Sequence, residues 1–388
     1  MLNLQLGELT LREHFMRLIN HSYLFDLFRN LYADISYNSY LNKTGEAIIP
    51  LRYFLELTYR CNLNCPYCYL GHNRHKEELT TDEWINVLSQ IPWYGLITLV
   101  GGEPFLRNDF VDILRYSSKK VFGKVNVVSN GTLLNEEYID EMIKSKIVLF
   151  SVSLDGWGKT HDLNRNKEGI FDKITNNLEI INKKRHKSPT MIDIKTIVLK
   201  NNIEDIYKLY EYCTKMGFEY LSVSFLRSNG LKQNAILQDD FTSIFYEEPY
   251  DIDPYFDLDH FLDVYKRICE LSKKSPTRIR FSPKFEGGGH IKEIERIRNF
   301  FNPEDKNDLK RHPKDIYYPC KYPYSNIMIN PSGDVYPCLS FKIGNVKEKS
   351  IKELFNTPKY RCFRKNLKYS KAFTSCQMCC ELKVKDKK

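Results

Sequence analysis

Between residues 52 and 226 strand-like runs alternate with helical patterns, and this alternation constrains the fold more than any other feature of the chain. Strands are expected over 52–58, 96–100, 125–129, 148–154, 191–198 and 219–226. Helical spacing of apolar residues falls between them, over 81–90, 108–119, 135–144, 170–184 and 203–216. Six β-then-α units predict a parallel sheet with right-handed crossovers. Six are too few for a closed eight-stranded barrel, so the expected class is α/β, a partial (β/α)6 TIM-like barrel. Ligands of such sheets gather at the carboxyl ends of the strands.

The loop after the first strand reads Cys61-Asn62-Leu63-Asn64-Cys65-Pro66-Tyr67-Cys68. Three thiolates on one loop can hold three irons of a four-iron cube. The fourth iron is then open to an exchangeable molecule, as a position is left open in catalytic zinc sites. A zinc site of Cys61, Cys65, Cys68 and His72 is the competing reading of the same residues. One βα unit later, strand two ends in Gly101-Gly102-Glu103-Pro104. Two glycines allow close backbone approach, and Glu103 is suited to accept hydrogen bonds from an ammonium group.

The cysteine spacing, Tyr67, the preceding strand and the Gly-Gly-Glu-Pro turn together resemble the radical S-adenosylmethionine (radical SAM) family over residues 50 to 230. The resemblance implies that the open iron chelates S-adenosylmethionine, whose reductive cleavage yields a 5′-deoxyadenosyl radical that abstracts hydrogen from substrate. It implies cofactor contacts at Tyr67, Gly101, Gly102 and Glu103. Strand three ends Ser129-Asn130, and strand four ends Ser153-Leu154-Asp155-Gly156, followed by His161-Asp162 and Arg165. Short polar residues at strand ends commonly cap the next helix. The second pattern is similar to the peptide-modifying branch of the family, which would place Ser153, Asp155 and Arg165 near the cofactor's ribose and carboxylate. The planar fork of Arg165 suits a carboxylate. Ser129 and Asn130 would bond ribose or carboxylate, and Val198 would flank the adenine.

Composition sets the frame. The 388 residues, 42% apolar and 13% aromatic, are enough for one large domain with smaller ones attached. The expected division is a helical arm (1–50), the core (51–230), a linker or insertion (231–312) and a cysteine-rich end (313–388). The arm shows helical spacing at Leu11, Phe15, Leu18, Ile19 and Tyr23. The insertion carries an acidic stretch, Asp239 to Asp259, a helix expected over 257–272, and Gly287-Gly288-Gly289, which reads as a hinge. A net charge of +9 fits a solvated basic surface or attraction to an acidic partner. Nothing resembles a nucleic-acid module, so nucleic acid is not an expected partner. No apolar run reaches membrane-spanning length and Met1 to Asn20 hold no signal core, so the expected location is cytoplasmic. There, clustered cysteines read as metal or cluster ligands and not as disulfides. Cys213 and Cys269 stand alone in helical patterns and read as buried apolar thiols.

The second cysteine set begins at Cys320. A hairpin is expected over 326–338, turning at Pro331-Ser332-Gly333-Asp334 and ending at Cys338, and Cys362, Cys376, Cys379 and Cys380 follow. This set resembles the SPASM/twitch extension of radical SAM enzymes, a small β-hairpin/α domain for auxiliary clusters. Two fully ligated cubes need eight thiolates, and six lie beyond residue 300. One auxiliary [4Fe–4S] cluster fits, on Cys320, Cys338, Cys376 and Cys379, with Cys362 or Cys380 as substitutes. A zinc ribbon on the same four thiols is the alternative.

The resemblance implies an oxidoreductase or maturase with two [4Fe–4S] clusters, S-adenosylmethionine, and a reducing partner such as flavodoxin or ferredoxin. The substrate is a ribosomal peptide, oxidised, crosslinked or epimerised, or else a small molecule such as an amino sugar or nucleoside. A non-catalytic iron–sulfur or zinc scaffold is the alternative from another class.

Overall fold

In the computed structural model the described residues are 23–38, 43–68, 77–122, 124–226, 250–251, 255–285, 289–301, 310–311, 313–338, 341–371, 373, 376 and 379–385. His72, most of the arm, the acidic stretch through Glu248 and Gly287-Gly288 lie outside them.

Strands β1 (Arg52–Glu56), β2 (Leu96–Val100), β3 (Val125–Ser129), β4 (Leu149–Ser153), β5 (Met191–Val198) and β6 (Tyr220–Phe225) fall where the sequence places them. Among the described residues β7 (Tyr250–Asp251) and β9 (Lys310–Arg311) form a separate two-stranded pair. β8 (Arg278–Ser282), β10 (Asn326–Ile329), β11 (Asp334–Tyr336) and β12 (Gly344–Asn345) complete a ten-stranded sheet of order β12-β11-β10-β1-β2-β3-β4-β5-β6-β8. Every pairing from β10 to β8 is parallel, and β10, β11 and β12 pair antiparallel. The class is α/β as expected, with β12 and β8 as the sheet's two edges.

The crossovers are α1 (Thr81–Ser89), α2 (Phe110–Lys120), α3 (Glu136–Lys144), a short α4 (Lys159–Arg165) with α5 (Ile170–Lys184), and α6 (Ile203–Met216). Their ends follow local chemistry. Thr80 and Glu83 form a reciprocal capping box on α1, and Gly217 ends α6 in the left-handed conformation. The sequence reading missed α4. Asp162 within it caps the next helix, accepting from the backbone N–H of Gly169 (2.6 Å) and Phe171 (2.9 Å).

One face of the sheet is apolar. Val127, Phe150, Ile194 and Leu221 share a core with Ile139, Leu178, Ile206 and Leu209 of the helices. Side chains alternate across a strand, so Ser151, Asp193, Lys195 and Ser222 occupy the other face. At its base Leu149, Met191 and Tyr220 form a small separate apolar cluster.

Beyond β6, α7 (Leu258–Ser272) matches the expected helix, while β8 lies in a basic stretch, Lys273 to Lys284, where no strand is expected from the sequence. Cys213 and Cys269 are buried on helices, as expected of apolar thiols. The hairpin forms with β10 and β11, and Gly333 takes the positive φ (85°) its turn requires. Residues 382–385 are held between two backbones. Lys284 N–H donates to Leu382 O (2.8 Å) and Lys385 N–H to Ile316 O (2.9 Å). Among the described residues no helix is long and apolar enough to cross a membrane.

Candidate active site

The candidate residues converge at the carboxyl ends of β1 to β5. The β2 exit sits directly on the cysteine loop: Gly102 N–H donates to Thr58 O (2.7 Å) and Glu103 N–H to Arg60 O (2.8 Å). Both glycines serve this approach. A Cβ on Gly101 would lie 2.7 Å from Thr58 O, and one on Gly102 would lie 2.2 Å from Arg60 O.

The Glu103 side chain is wholly buried. It accepts from Phe105 N–H (3.2 Å), Ser129 Oγ (2.8 Å) and Asn130 N–H (2.8 Å). Burial pushes its carboxyl up to about 7, against the pull of these hydrogen bonds. A raised folded-state pKa means the native protein binds more protons than the unfolded chain between about pH 4.5 and 7. The associated stability is therefore present below about pH 4.5 and is lost as pH rises through about 7. The difference is about 3 kcal/mol at about 1.4 kcal/mol per unit. Denaturant titrations of the metal-free protein across this range should show that slope, and Glu103→Gln should flatten it.

The Asn130 amide reaches the cysteine loop, donating to Asn62 Oδ1 (3.0 Å) and towards Cys61 Sγ (3.8 Å). Asp155 is a second hub, also fully buried. Its carboxylate accepts from Tyr67 Oη (2.5 Å) and Ile197 N–H (2.8 Å) and pairs with Arg165 (2.5 Å). Arg165 also donates to Cys65 Sγ (3.7 Å). The Asp155 backbone N–H donates to His161 Nδ1 (3.0 Å), and its carbonyl accepts from Asn164 (2.6 Å) and Asn202 (3.2 Å). Burial holds the His161 imidazole down near 4, so it is neutral. Ser153 lies half-buried in register with Lys195. Val198 is buried, and its carbonyl accepts from Tyr255 Oη (2.7 Å).

The donor set fits an iron–sulfur group. Thiolates bearing an anionic cluster need N–H donors around them, and Cys61 and Cys65 already face Asn130 and Arg165. Among the described residues no three His, Cys, Asp or Glu side chains gather at the spacing of ligands to one metal ion. In a cube each cysteine binds a different iron, so its ligands stand further apart than that.

In the second cysteine set, burial raises the Cys320 thiol well above its ordinary value, and the charges of Cys376 and Cys338 add to the rise. Cys379 N–H donates to Cys376 O (3.0 Å). Cys362 and Cys380 are exposed, and Cys362 Sγ accepts from Asn366 (3.5 Å). Glu381 then pairs with Arg52 (3.4 Å) and Lys284 (3.6 Å), tying this loop to β1 and the end of β8.

The sequence reading gave no part to Tyr255, Asn202, Asp193 or Lys195, nor a specific one to His161. For Asp193 and Lys195 a signal exists: buried parallel strands read as near-continuous apolar runs, and β5 breaks that rule at alternate positions.

Residues 55–213 match the sequence model of the radical SAM superfamily, and residues 320–380 match that of SPASM, an iron–sulfur cluster-binding domain. These two segments are thus members of the radical SAM superfamily and of the SPASM family. Membership brings a [4Fe–4S] cluster with S-adenosylmethionine, and iron–sulfur at the SPASM domain. The chain is 33% identical over 180 residues to the AdoMet-dependent heme synthase of Methanosarcina barkeri, covering 45% of this chain and 50% of that protein. It is 29% identical over 175 residues to the sporulation killing factor maturation protein SkfB of Bacillus subtilis, covering 44% and 42%. The chain thus matches about half the length of these curated relatives. In fold it is similar to Streptococcus suis SuiB bound to S-adenosylmethionine, with a TM-score of 0.60 at 18% identity over 91% of this chain and 78% of that one. SuiB has also been solved bound to its precursor peptide SuiA.

Proposed function

We propose that this chain is a radical SAM maturase that oxidises, crosslinks or epimerises a ribosomally made peptide, with one auxiliary [4Fe–4S] cluster assisting. The observation that carries the reading is the meeting of the cysteine loop with two buried hubs, Glu103 and Asp155, through Asn130 and Arg165. Cys61, Cys65 and Cys68 would hold the first cluster. Once bound, the cluster and S-adenosylmethionine supply a 5′-deoxyadenosyl radical that takes a hydrogen atom from substrate. The protein's task is then to orient and to keep the site dry. Glu103 would receive the cofactor's amino group, and Arg165 its carboxylate. Ser153, Asp155 and Tyr67 would border its ribose and adenine, with Val198 behind.

Cys320, Cys338, Cys376 and Cys379 would hold the auxiliary cluster, placed to take an electron from a substrate radical or to anchor substrate. The maturation role in SkfB's name and the precursor peptide bound by SuiB support a peptide substrate. The likeness to a heme synthase keeps a small-molecule substrate as the second reading.

Iron per chain after anaerobic reconstitution tests the reading. The wild type should hold about eight irons and the Cys61/Cys65/Cys68→Ala variant about four, since each cube carries four. The wild type should also release 5′-deoxyadenosine on reduction, and the variant none. Zinc retained in the variant would remove the electron-accepting role from the second set. Absence of 5′-deoxyadenosine from a fully loaded wild type would favour a non-catalytic scaffold.

A further inference from the structure

The polar face of the sheet carries two cations, Lys195 and Arg280, to which the proposed function gives no part. In register across four strands stand Ser153, Lys195, Ser222 and Arg280, which therefore share one face. It is the face of the candidate site. Leu154 N–H donates to Lys195 O (2.8 Å), and Ile197, two residues on, donates its N–H to Asp155.

Among the described residues of β4, β5, β6 and β8, the carboxylate on this face is Asp193, and it is satisfied from within. It accepts from Ser151 Oγ (3.0 Å) and Ser222 Oγ (2.7 Å), and Lys195 Nζ stands 3.4 Å away. That ion pair uses one of the lysine's three donors, and the side chain is 43% exposed. The Arg280 guanidinium lies 3.2 Å from the centre of the Tyr220 ring. Face stacking of this kind fixes the plane and leaves the edge N–H groups directed outward. Among the described residues Arg280 makes no hydrogen bond and no ion pair. The two cations stand on alternate strands, about 10 Å apart at the backbone, within reach of one group by two long side chains. Arg278 adds a third positive charge at the base of β8.

We propose that Lys195 and Arg280 form an anion subsite that receives a carboxylate side chain of the substrate, so that the peptide presents a Glu or Asp beside the residue to be modified. The inference rests on reading this face as the reaction site. The same chemistry would also receive the carboxylate of S-adenosylmethionine, and the test separates the two sources.

The probes are acetyl-Gly-Glu-Gly-amide and acetyl-Gly-Gln-Gly-amide, their binding to reconstituted enzyme followed by ligand-observed NMR. The acidic probe should bind about tenfold tighter than the amide, the worth of about 1.4 kcal/mol of charge pairing. Arg280→Gln, which gives up the stacking of a half-buried guanidinium on the buried Tyr220 ring, should bring the ratio within about twofold, and Lys195→Met should act in the same direction. An equal preference in wild type and Arg280→Gln would overturn the proposal. So would a loss of S-adenosylmethionine affinity in the variants with the probe ratio intact, which would assign the cations to the cofactor. Release of 5′-deoxyadenosine by the wild type is read separately. Its absence with the acid preference present would defeat the radical reading and leave the subsite standing.

Discussion

Asp155→Ala should cost about 3–5 kcal/mol of folding stability, the penalty for leaving a buried charge without its partner. The substitution strands Arg165, whose charge Asp155 meets at 2.5 Å, and removes the acceptor for Tyr67 Oη and Ile197 N–H. Three elements come apart together: the cysteine loop through Tyr67, α4 through Arg165 and β5 through Ile197. Asp155→Asn keeps an acceptor but not the charge, and should lose roughly half as much. Denaturant unfolding of the metal-free protein would measure both. A loss below about 1 kcal/mol for the alanine variant would mean that the hub does not organise the site. In the reconstituted protein the same variant should weaken S-adenosylmethionine binding more than it lowers iron content. The cysteines remain while the groups proposed to border ribose and carboxylate are released.

Gly102→Ala should act on the other half of the site, and through the backbone. The new methyl would stand 2.2 Å from Arg60 O, where no atom fits. Relief requires the β2 exit to withdraw from the cysteine loop, breaking the hydrogen bonds from Gly102 to Thr58 and from Glu103 to Arg60. Overpacking costs about 1–3 kcal/mol and each lost hydrogen bond about 1 kcal/mol more. The reconstituted variant should hold about four irons instead of about eight, the second cysteine set keeping its own. The visible iron–sulfur absorbance should fall in proportion. Retention of full iron would show that the loop holds its geometry without the turn beside it.

The parts of this fold legible in the sequence are those with a period. The six core strands and their long helices follow apolar alternation against 3.6-residue spacing, because one face of each packs on a shared core. The hairpin after Cys320 was legible for a different reason: its turn needs Gly333 at positive φ. β8 was hidden because Arg278 and Arg280 alternate with apolar residues on an edge strand, and in a lysine-rich stretch that pattern looks like surface. The cysteines and Glu103 could be named from spacing and motif. Their supports could not. Asn202 and Tyr255 act on backbone atoms 47 and 57 positions away, which no local pattern encodes, and His161 reaches back six positions to the Asp155 N–H without belonging to any capping or turn signature. Even Ser129 and Asn130, legible as strand-end polar residues, turn out to hold Glu103 first.

The pairing of β10 with β1 has a temporal side. Arg52 meets Asn326 and Leu55 meets Ile329, so the outer edge of the first strand is completed by the last quarter of the chain. On a ribosome that partner emerges about 270 residues later, a delay of about 15–50 s at typical synthesis rates of about 5–20 residues per second. Through that interval β1 presents an unpaired parallel edge next to the three cysteines that follow it, a template open to other strands. The hairpin thus works as a late closing stave, and its arrival couples assembly of the first site to synthesis of the second.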